Sequence, residues 1–288
     1  MNIPNNISQF SEYAQEELQH LYNPNEIKCL CNIIFLDVLC FTNIDIYLQK
    51  NKKIKTSLVE TFINIIQELK QGRPIQYIIG ETEFAGLKFY LNKDTLIPRP
   101  ETYELIDWVK TFATDSKKII DIGTGSGVIA ITLAHLCPDT IITAIDISKE
   151  ACEITKRNAI RNQVKINIQE ADILNWQNKT WNTYDIIVSN PPYIKEEEKQ
   201  EMEDIVLLHE PHRALFVSND DPLIFYRKIA EFGQEHLTSG GYIFFEINQA
   251  LAKEMFTLMQ NLHYTEIEIK KDIYGNNRML KAKRTINN

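Results

Sequence analysis

Beyond residue 118 the chain alternates short, strongly apolar runs with longer segments in which apolar residues recur every three to four positions. The first pattern is typical of buried strands and the second of amphipathic helices. Strands are predicted at Lys118–Ile122, Thr140–Asp146, Lys165–Ala171, Tyr184–Ser189, Tyr242–Ile247, Thr265–Lys271 and Met279–Arg284, and helices at Val128–Leu136, Lys149–Asn162, Pro222–Leu237 and Gln249–Asn261. This order predicts an α/β fold, a doubly wound Rossmann-like sheet with helices on both faces.

The last two of the seven predicted strands have no helix between them, since only the turn Tyr274-Gly275-Asn276-Asn277 separates them. A connection this short joins antiparallel strands, whereas parallel strands need a longer crossover. We therefore expect a seven-stranded, mostly parallel sheet that ends in an antiparallel C-terminal hairpin at its edge. That arrangement is typical of nucleoside-dependent methyltransferases.

Residues 1–72 show only the helical pattern and predict a small N-terminal helical bundle domain. The first helix has one apolar face, formed by Ile7, Phe10, Ala14, Leu18 and Leu21. A second helix is predicted over Asn25–Cys40. A third begins near Ser57, which has capping-box spacing to Glu60, and ends near Gly72. The bundle holds no catalytic grouping, so it serves either for packing alone or for docking a macromolecular substrate.

Residues 73–100 form a connector between this bundle and the sheet domain of residues 101–288. Gly80 and Gly86 separate Tyr77-Ile78-Ile79 from Leu87-Lys88-Phe89-Tyr90-Leu91, which predicts a β-hairpin. The connector ends in Pro98-Arg99-Pro100, a stiff extended segment that we call the proline corner. It is either a structural bridge or part of a ligand pocket, and a helix over Thr102–Phe112 follows it.

The composition indicates which partners and which cellular compartment suit the protein. The 288 residues are 44% hydrophobic and 24% charged, and the formal net charge of -8 disfavours nonspecific binding to nucleic-acid phosphates. The five cysteines form no CxxC pair, which indicates free thiols in a reducing compartment. The most apolar run, Ile33 to Phe41, is short and interrupted by Asp37, which argues against a membrane span. We expect a cytoplasmic protein without a signal peptide, and a monomer suffices.

A glycine loop follows the first strand of the sheet domain. Gly123, Gly125 and Gly127 alternate with Thr124 and Ser126 between a strand and a helix. Without Cβ atoms the backbone can turn tightly and approach a ligand, and the helix N-terminus behind it offers N–H groups to a carboxylate. The spacing is GxGxG, whereas dinucleotide-binding proteins have GxGxxG.

Three aspartates stand where strands of the sheet are predicted to end. Asp146 can accept hydrogen bonds from both ribose hydroxyls, Asp172 from an adenine amine, and Asp121 can face an ammonium group. Ile173 is expected to pack beside the adenine. Together with the glycine loop, these positions predict an S-adenosyl-L-methionine site. The alternatives are that the carboxylates only cap helices, or that the ribose acid belongs to a nicotinamide dehydrogenase.

The segment Asn190-Pro191-Pro192-Tyr193, which we call the clamp, directly follows the fourth predicted strand. The asparagine side chain offers one acceptor and two donors, and the prolines fix the backbone without adding N–H groups. We expect the side-chain oxygen of Asn190 and the carbonyl of Pro191 to accept the two N–H bonds of a planar –NH2 group, with Tyr193 packed on its plane. Methyl transfer from a sulfonium to such a nitrogen needs no metal.

Two further groupings have ordinary explanations. His209-Glu210-Pro211-His212 resembles a metal-binding box, but its proline breaks helical spacing, so no metal site is predicted. The acidic run Glu196-Glu197-Glu198 is expected to be a solvated helix start, with a basic partner surface as the alternative.

The chain resembles the release-factor glutamine methyltransferases over nearly its whole length. The motifs that carry this resemblance are Pro74-Ile75-Gln76-Tyr77-Ile78 with Gly80, Ile97-Pro98-Arg99-Pro100-Glu101-Thr102, Asp121-Ile122-Gly123-Thr124-Gly125-Ser126-Gly127, Asn190-Pro191-Pro192-Tyr193-Ile194, Glu210-Pro211 with Ala214-Leu215, and Gly275 with Arg278. The proline corner makes the resemblance specific, since the clamp motif also occurs in DNA adenine methyltransferases.

The resemblance implies methylation of the side-chain nitrogen of the glutamine in the Gly-Gly-Gln motif of peptide chain release factors. It implies that residues 190–193 hold that glutamine, with Arg99 as a further substrate-binding candidate. Residues 123–127, Asp146, Asp172 and Ile173 would hold the cofactor, which Asn190 would also contact.

Two positions depart from the family pattern, namely Tyr103, where a Glu is frequent, and Asn248, where a Gly is frequent. Neither is expected to contact the predicted chemistry directly. Three alternatives remain open: glutamine methylation of a ribosomal protein, adenine methylation of a nucleic acid, and a non-catalytic S-adenosylmethionine-binding scaffold.

Overall fold

The computed structural model describes residues 3–48, 50–114, 116–202 and 204–285. The chain forms two compact units, Met1–Gly80 and Glu81–Asn288. The hairpin of the connector therefore belongs to the second unit. Within the described residues, no helix combines the length and apolar character needed to cross a membrane.

The first unit is helical, as predicted. Its helices are α1 (Ile7–Leu18), α2 (Pro24–Ile33), α3 (Asn43–Leu48), α4 (Thr56–Lys70) and α5 (Ile75–Ile79), with a π-helical turn at Ile34–Val38. Asn6 caps α1, and Asn23 forms a capping box with Glu26 in front of α2. These caps satisfy N–H groups that the first helical turn leaves without partners.

Aromatic residues from three helical segments form the centre of this unit. The rings of Phe10 and Phe62 lie 4.2 Å apart, and those of Phe35 and Phe62 lie 5.8 Å apart, all nearly inaccessible to solvent. Helix α3 contributes no buried residue, and Ile44, Tyr47 and Leu48 are exposed. Ile46, which is half-buried, packs against the core of this unit. One such residue does not give α3 the apolar periodicity that revealed α1 and α4.

The connector differs from its prediction. Residues 77–79 lie in helix α5, whereas the hairpin pairs β1 (Glu81–Phe84) with β2 (Leu87–Tyr90). The isoleucines and tyrosine of α5 have strand propensity, but Pro74 precedes the helix and Gly80 ends it with φ +80°. Burial of Ile75 and Tyr77 stabilises the helical alternative, so tertiary packing overrides local propensity here.

The second unit contains a seven-stranded sheet with the predicted mixture of strand directions. Its strands are β3 (Lys118–Ile122), β4 (Ile141–Asp146), β5 (Asn167–Glu170), β6 (Tyr184–Ser189), β9 (Leu237–Glu246), β10 (Tyr264–Lys271) and β11 (Asn277–Arg284). The order across the sheet is β10-β11-β9-β6-β3-β4-β5. Strands β9, β6, β3, β4 and β5 are parallel, and β11 pairs antiparallel with both β10 and β9.

Helices cover both faces of this sheet. They are α6 (Thr102–Lys110), α7 (Val128–Leu136), α8 (Lys149–Arg161), α9 (Asp204–His209), α10 (His212–Leu215), α11 (Ile224–His236) and α12 (Ala252–Asn261). A short parallel pair, β7 (Ile194–Lys195) with β8 (Phe216–Val217), stands apart from the main sheet. Four elements were not predicted, because each is too short to show a hydrophobic periodicity. They are strands β7 and β8 and helices α9 and α10.

Alternation along the central strands divides the interior into two cores. Ile120 and Ile122 face the helices α11 and α12, whereas Ile119 faces α6, α7 and α8. Strand β9 behaves in the same way, with Phe245 in the first core and Phe244 in the second. Strands buried on both faces explain why these runs are continuously apolar.

Candidate active site

The carboxyl ends of the parallel strands meet around one cavity of about 750 Å³. From β3 the chain runs outward through β4 to β5 and then returns to place β6 on the other side of β3. Such a reversal leaves a crevice at the carboxyl ends of the strands, where open α/β sheets bind ligands. The cavity lies at this reversal, and its size suits a small-molecule ligand.

Most of the predicted site residues line this cavity. They are Arg99, Gly123, Thr124, Gly125, Ser126, Asp146, Asp172, Ile173, Asn190, Pro191 and Pro192. The other three predicted site residues do not line the cavity; they are Asp121, Gly127 and Tyr193. Their hydrogen bonds and packing support the residues that do.

The glycine loop, residues 123–127, is held between the ends of β3 and β4. The N–H groups of Gly123 and Thr124 both donate to the carbonyl of Ile145 at 2.9 Å. Gly123 and Gly125 have φ of +76° and +57°, and a Cβ built on either would meet no atom within 4 Å. The loop therefore leaves open space beside its backbone, which suits close approach by a ligand.

Gly127 is different, because a Cβ there would lie 2.8 Å from both Ile131 Cδ1 and Thr155 Cγ2. Thr155 is buried and held by its own hydrogen bond to the carbonyl of Gly125. We expect Gly127→Ala to lower the free energy of unfolding by about 2–4 kcal/mol, from the left-handed φ and the overlap together. Urea denaturation without ligand measures this loss.

Gly123→Ala is the matched control for this prediction, since it carries the same backbone strain with open space around it. We expect it to cost only about 1–2 kcal/mol. Equal losses in the two variants would show that the contact with Thr155 is not responsible.

Asp146 ends β4 and supports the glycine loop. Its Oδ2 accepts from the N–H of Gly125 and its Oδ1 from the N–H of Ser148, each at 2.9 Å. Burial raises the pKa of Asp146, and the two backbone N–H groups oppose that rise. A carboxylate has further lone pairs, so these bonds leave acceptor capacity toward the cavity, as a ribose diol requires.

Asp121 lies beneath the glycine loop and is fully buried. Its Oδ2 accepts from Thr124 Oγ1 at 2.6 Å and from the N–H of Ala130 at 3.2 Å. Its Oδ1 has no hydrogen-bond partner among the described residues. Asp121 therefore holds the loop from below, and its predicted contact with a ligand ammonium stays a prediction.

Burial raises the pKa of Asp121 to about 7, and the negative charge of Asp146 adds to the rise. The native state then binds this proton more tightly than an unfolded chain, where the pKa is about 4. The resulting stabilisation is present below about pH 4 and is lost as the pH rises through about 7.

Asp121→Asn keeps an acceptor oxygen and cannot ionise. We expect its stability relative to the wild type to rise between about pH 4 and about pH 7, by up to roughly 1.4 kcal/mol per pH unit. Urea unfolding of both proteins across this range measures the difference. A difference independent of pH would mean that Asp121 does not titrate in this window.

Asp172 and Ile173 stand together beyond β5. Asp172 caps a 3-10 turn at Ile173–Asn178, since its Oδ1 accepts from the N–H of Leu174 at 2.9 Å. Its Oδ2 accepts from Asn175 Nδ2 at 2.7 Å. Asp172 thus performs the capping role that the sequence left as an alternative, and it lines the cavity as well.

The clamp, residues 190–193, continues β6 into the cavity. Ser189 Oγ donates to the carbonyl of Ile122 at 2.6 Å, which ties the end of β6 to the end of β3. Asn190, Pro191 and Pro192 line the cavity directly beside the glycine loop. A cofactor on the loop and a group bound by Asn190 would therefore share one chamber.

The proline corner forms another wall of the same cavity through Pro98 and Arg99. Arg99 Nη2 pairs with Glu210 Oε1 at 2.6 Å, and the Glu210 side chain is 1% exposed. The other oxygen of Glu210 accepts from the N–H of Ile97 at 3.4 Å. Glu210 therefore holds the proline corner in place. These contacts explain the burial of its carboxylate without a role as a metal ligand.

Two polar residues beside the clamp, Glu246 and Asn248, were not predicted to support it. Glu246 is buried at the end of β9 and accepts from Thr102 Oγ1 at 2.8 Å and from the Tyr193 hydroxyl at 3.1 Å. Asn248 Nδ2 donates to the backbone carbonyl of Tyr193 at 3.3 Å, so this position contacts the clamp, whereas its expected separation from the chemistry itself stays a prediction. The available signal was a charged residue directly after the apolar run of β9.

The other departure from the family pattern has a packing explanation. Tyr103 lies edge-on to Phe84, with ring centroids 6.2 Å apart. It therefore covers the hairpin of β1 and β2.

Both parts of the chain match known families. Residues 105–218 match the Methyltransferase small domain family, and residues 10–80 match the PrmC N-terminal domain family. A release factor glutamine methyltransferase of Flavobacterium psychrophilum is 42% identical over 93% of this chain and 95% of its own length. One of Bacteroides thetaiotaomicron is 42% identical over 96% of this chain and 100% of its own.

Solved methyltransferase structures share the fold over about 70% of the chain. A methyltransferase from Pyrococcus furiosus is 21% identical with a TM-score of 0.53, and the match covers 70% of this chain and 91% of that one. A 16S rRNA methyltransferase from T. thermophilus, solved with AdoMet and guanosine, is 15% identical with a TM-score of 0.51, over 71% of this chain and 49% of that one. At these identities the likeness concerns the fold alone. The identity and coverage of the two bacterial relatives show that the chain belongs to the release factor glutamine methyltransferases.

Proposed function

We propose that this enzyme transfers a methyl group from S-adenosyl-L-methionine to the side-chain amide nitrogen of the glutamine in the Gly-Gly-Gln motif of peptide chain release factors. The observation that carries the proposal is that the glycine loop and the clamp line one cavity, at adjacent ends of β3 and β6. A cofactor site and an amide site that share a chamber allow direct transfer between their ligands.

The residues of the cavity fit S-adenosylmethionine by shape and by chemistry. The open space beside Gly123 and Gly125 would admit its amino-acid part, and the acceptor capacity of Asp146 suits ribose hydroxyls. Ile173 offers an apolar contact to a base. When bound, this cofactor supplies a methyl group on a positively charged sulfur, a strong electrophile that needs no metal.

The role of the clamp follows from the weakness of an amide nitrogen as a nucleophile. Its lone pair is delocalised into the carbonyl, so the enzyme gains most by orientation, and aligned geometry can contribute roughly 7–11 kcal/mol. Asn190 and the Pro191 carbonyl accept the two N–H bonds and point the lone pair at the methyl carbon. Methyl transfer would form an N–C bond as the S–C bond breaks, would release S-adenosyl-L-homocysteine, and would leave the amide nitrogen with one proton fewer.

We assign the N-terminal bundle, residues 1–72 in the division expected from the sequence, to docking the release factor. Ile44, Tyr47 and Leu48 expose apolar surface on α3 that a protein partner can cover. We take the enzyme to act as a monomer. The net charge of -8 fits a protein substrate better than a nucleic acid, and we place the enzyme in the cytoplasm.

Methyl transfer from labelled S-adenosylmethionine to a purified release factor tests this proposal. The comparison is the same release factor with the glutamine of its Gly-Gly-Gln motif changed to alanine. We expect label on the first protein and none on the second.

Other outcomes would change the assignment. Label on both proteins would place the target amide outside the Gly-Gly-Gln motif. Label on neither, with cofactor binding intact, would direct attention to a ribosomal protein or a nucleic acid as substrate.

A further inference from the structure

Tyr193, the last residue of the clamp, is held by hydrogen bonds at three points. Its N–H donates to the carbonyl of Leu215 at 3.2 Å. Its carbonyl accepts from Asn248 Nδ2 at 3.3 Å, and its hydroxyl donates to Glu246 Oε1 at 3.1 Å. Two of the three partners thus lie at or just beyond the end of β9, which is a rigid inner strand of the sheet.

Glu246 is itself fixed from several sides. Its side chain is buried, and its second oxygen accepts from Thr102 Oγ1 at 2.8 Å, directly after the proline corner. Burial raises the pKa of Glu246, whereas the Thr102 bond and the charge of Arg278 oppose that rise. Arg278 is in turn held by Asp272 at 3.2 Å. One carboxylate therefore accepts hydrogen bonds from the clamp and from the first residue of α6, and the charge of Arg278 in β11 also acts on it.

The tyrosine hydroxyl is suited to donate to this carboxylate. Burial raises the pKa of Tyr193, and the neighbouring charge of Glu246 raises it further. The phenol stays protonated at neutral pH, so its hydrogen bond to Glu246 persists. A neutral donor to a buried carboxylate makes a charge-assisted hydrogen bond, which is stronger than a neutral pair.

Only two prolines separate Tyr193 from Asn190. Proline fixes its own φ and restricts the residue before it, so this connection is stiff. A shift of Tyr193 is therefore passed to Asn190 and is not absorbed between them. Pro191 is buried, which removes further freedom.

We propose that Glu246 and Asn248 are positioning residues that act through Tyr193 and the two prolines to set the place of Asn190. The inference rests on the proposed function, in which Asn190 binds the target amide. Misplacement of a reacting group by about 1 Å can cost about 10²-fold in rate. Loosening Tyr193 should therefore lower kcat while the cofactor, held by the glycine loop and Asp146, binds as before.

The kinetic test compares Glu246→Met, Glu246→Gln and Tyr193→Phe. Glu246→Met has similar length without an acceptor, and Glu246→Gln keeps one oxygen for the tyrosine hydroxyl. We expect Glu246→Met and Tyr193→Phe each to lower kcat about 10- to 30-fold with little change in cofactor Kd, and Glu246→Gln to recover most of that loss. Asn248→Ala should act in the same direction, and the exposed Glu268→Gln serves as the control without effect.

The double variant Glu246→Met with Tyr193→Phe separates positioning from general damage. Both changes remove the same hydrogen bond, so we expect the pair to lower kcat no more than the worse single variant. Multiplicative losses, or a parallel loss of cofactor affinity, would overturn the proposal.

Labelled tyrosine provides a measurement that does not depend on turnover. In protein with ¹³C at the tyrosine Cζ, the signal missing from Tyr193→Phe identifies Tyr193. We expect that signal to shift in Glu246→Met and to stay in place in Glu268→Gln, and an unchanged position in both would overturn the proposed bond. A wild-type enzyme inactive on release factors would overturn the proposed function, whereas this spectrum would still decide how Tyr193 is held.

Discussion

Replacing Asn190 with alanine should lower kcat for release-factor methylation by about 10²–10³-fold, or about 3–4 kcal/mol of transition-state stabilisation. The side chain lines the cavity and is the first residue of the clamp. Its amide oxygen is the acceptor that would orient the target –NH2 group, and alanine offers none. Cofactor affinity should change by less than about threefold, because Asp146 and the glycine loop remain intact. Initial rates at saturating release factor and cofactor measure the effect.

Asn261→Ala, at the exposed end of α12, is the control for this variant. It removes the same side chain at a position distant in sequence from the clamp. Near-normal turnover by Asn190→Ala would exclude the orientation mechanism. A large loss of cofactor affinity would instead assign the effect mainly to the contact with the cofactor that the family resemblance implies for Asn190.

Asp146→Ala should have the second largest effect, and it should appear in cofactor binding. The carboxylate organises the loop through Gly125 and Ser148 and has acceptor capacity left for a ribose diol. Hydrogen bonds to a charged group contribute about 1.5–3 kcal/mol each, so we expect the Kd for S-adenosylmethionine to rise about 10²-fold or more. Titration calorimetry with S-adenosylhomocysteine measures the same loss without turnover.

Asp146→Asn keeps one acceptor oxygen and should weaken binding by only about tenfold. Asp107→Ala changes an exposed carboxylate on α6 and serves as the neutral control. If Asp146→Ala bound the cofactor like the wild type, the ribose assignment would be wrong and the residue would serve the loop alone.

The central sheet was predictable because each inner strand is buried on both faces. Such a strand must be continuously apolar, so β3 and β6 stand out from the sequence, and β6 was placed at its observed bounds. The hairpin was predictable for a different reason, since no helix fits between β10 and β11. Helix α5 was not predicted because burial of Ile75 and Tyr77, and not the local sequence pattern, stabilises it as a helix. Helix α3 was not predicted because it contributes no buried residue and so has no apolar periodicity.

The candidate site likewise contains residues that the sequence pattern predicts and contacts that it does not predict. Glycines between a strand and a helix, and polar residues at strand ends, have a local signature, so most of the cavity lining was predictable. The contacts of Glu246 with Thr102 and Tyr193 join residues separated by 144 and 53 positions along the chain. No local sequence pattern around these residues predicts the two hydrogen bonds, because only the completed sheet brings the residues together.

The place of β11 in the sheet has a consequence for how the protein is made. This strand follows the other six strands of the described sheet in sequence, yet it lies between β10 and β9 and pairs Met279 with Glu246. A ribosome delivers the chain from its N-terminus, so the first unit can fold while the second is still being synthesised. The catalytic sheet cannot, because its inner strand emerges last. The sheet therefore lacks the strand beside Glu246 until residues 277–284 have left the ribosome.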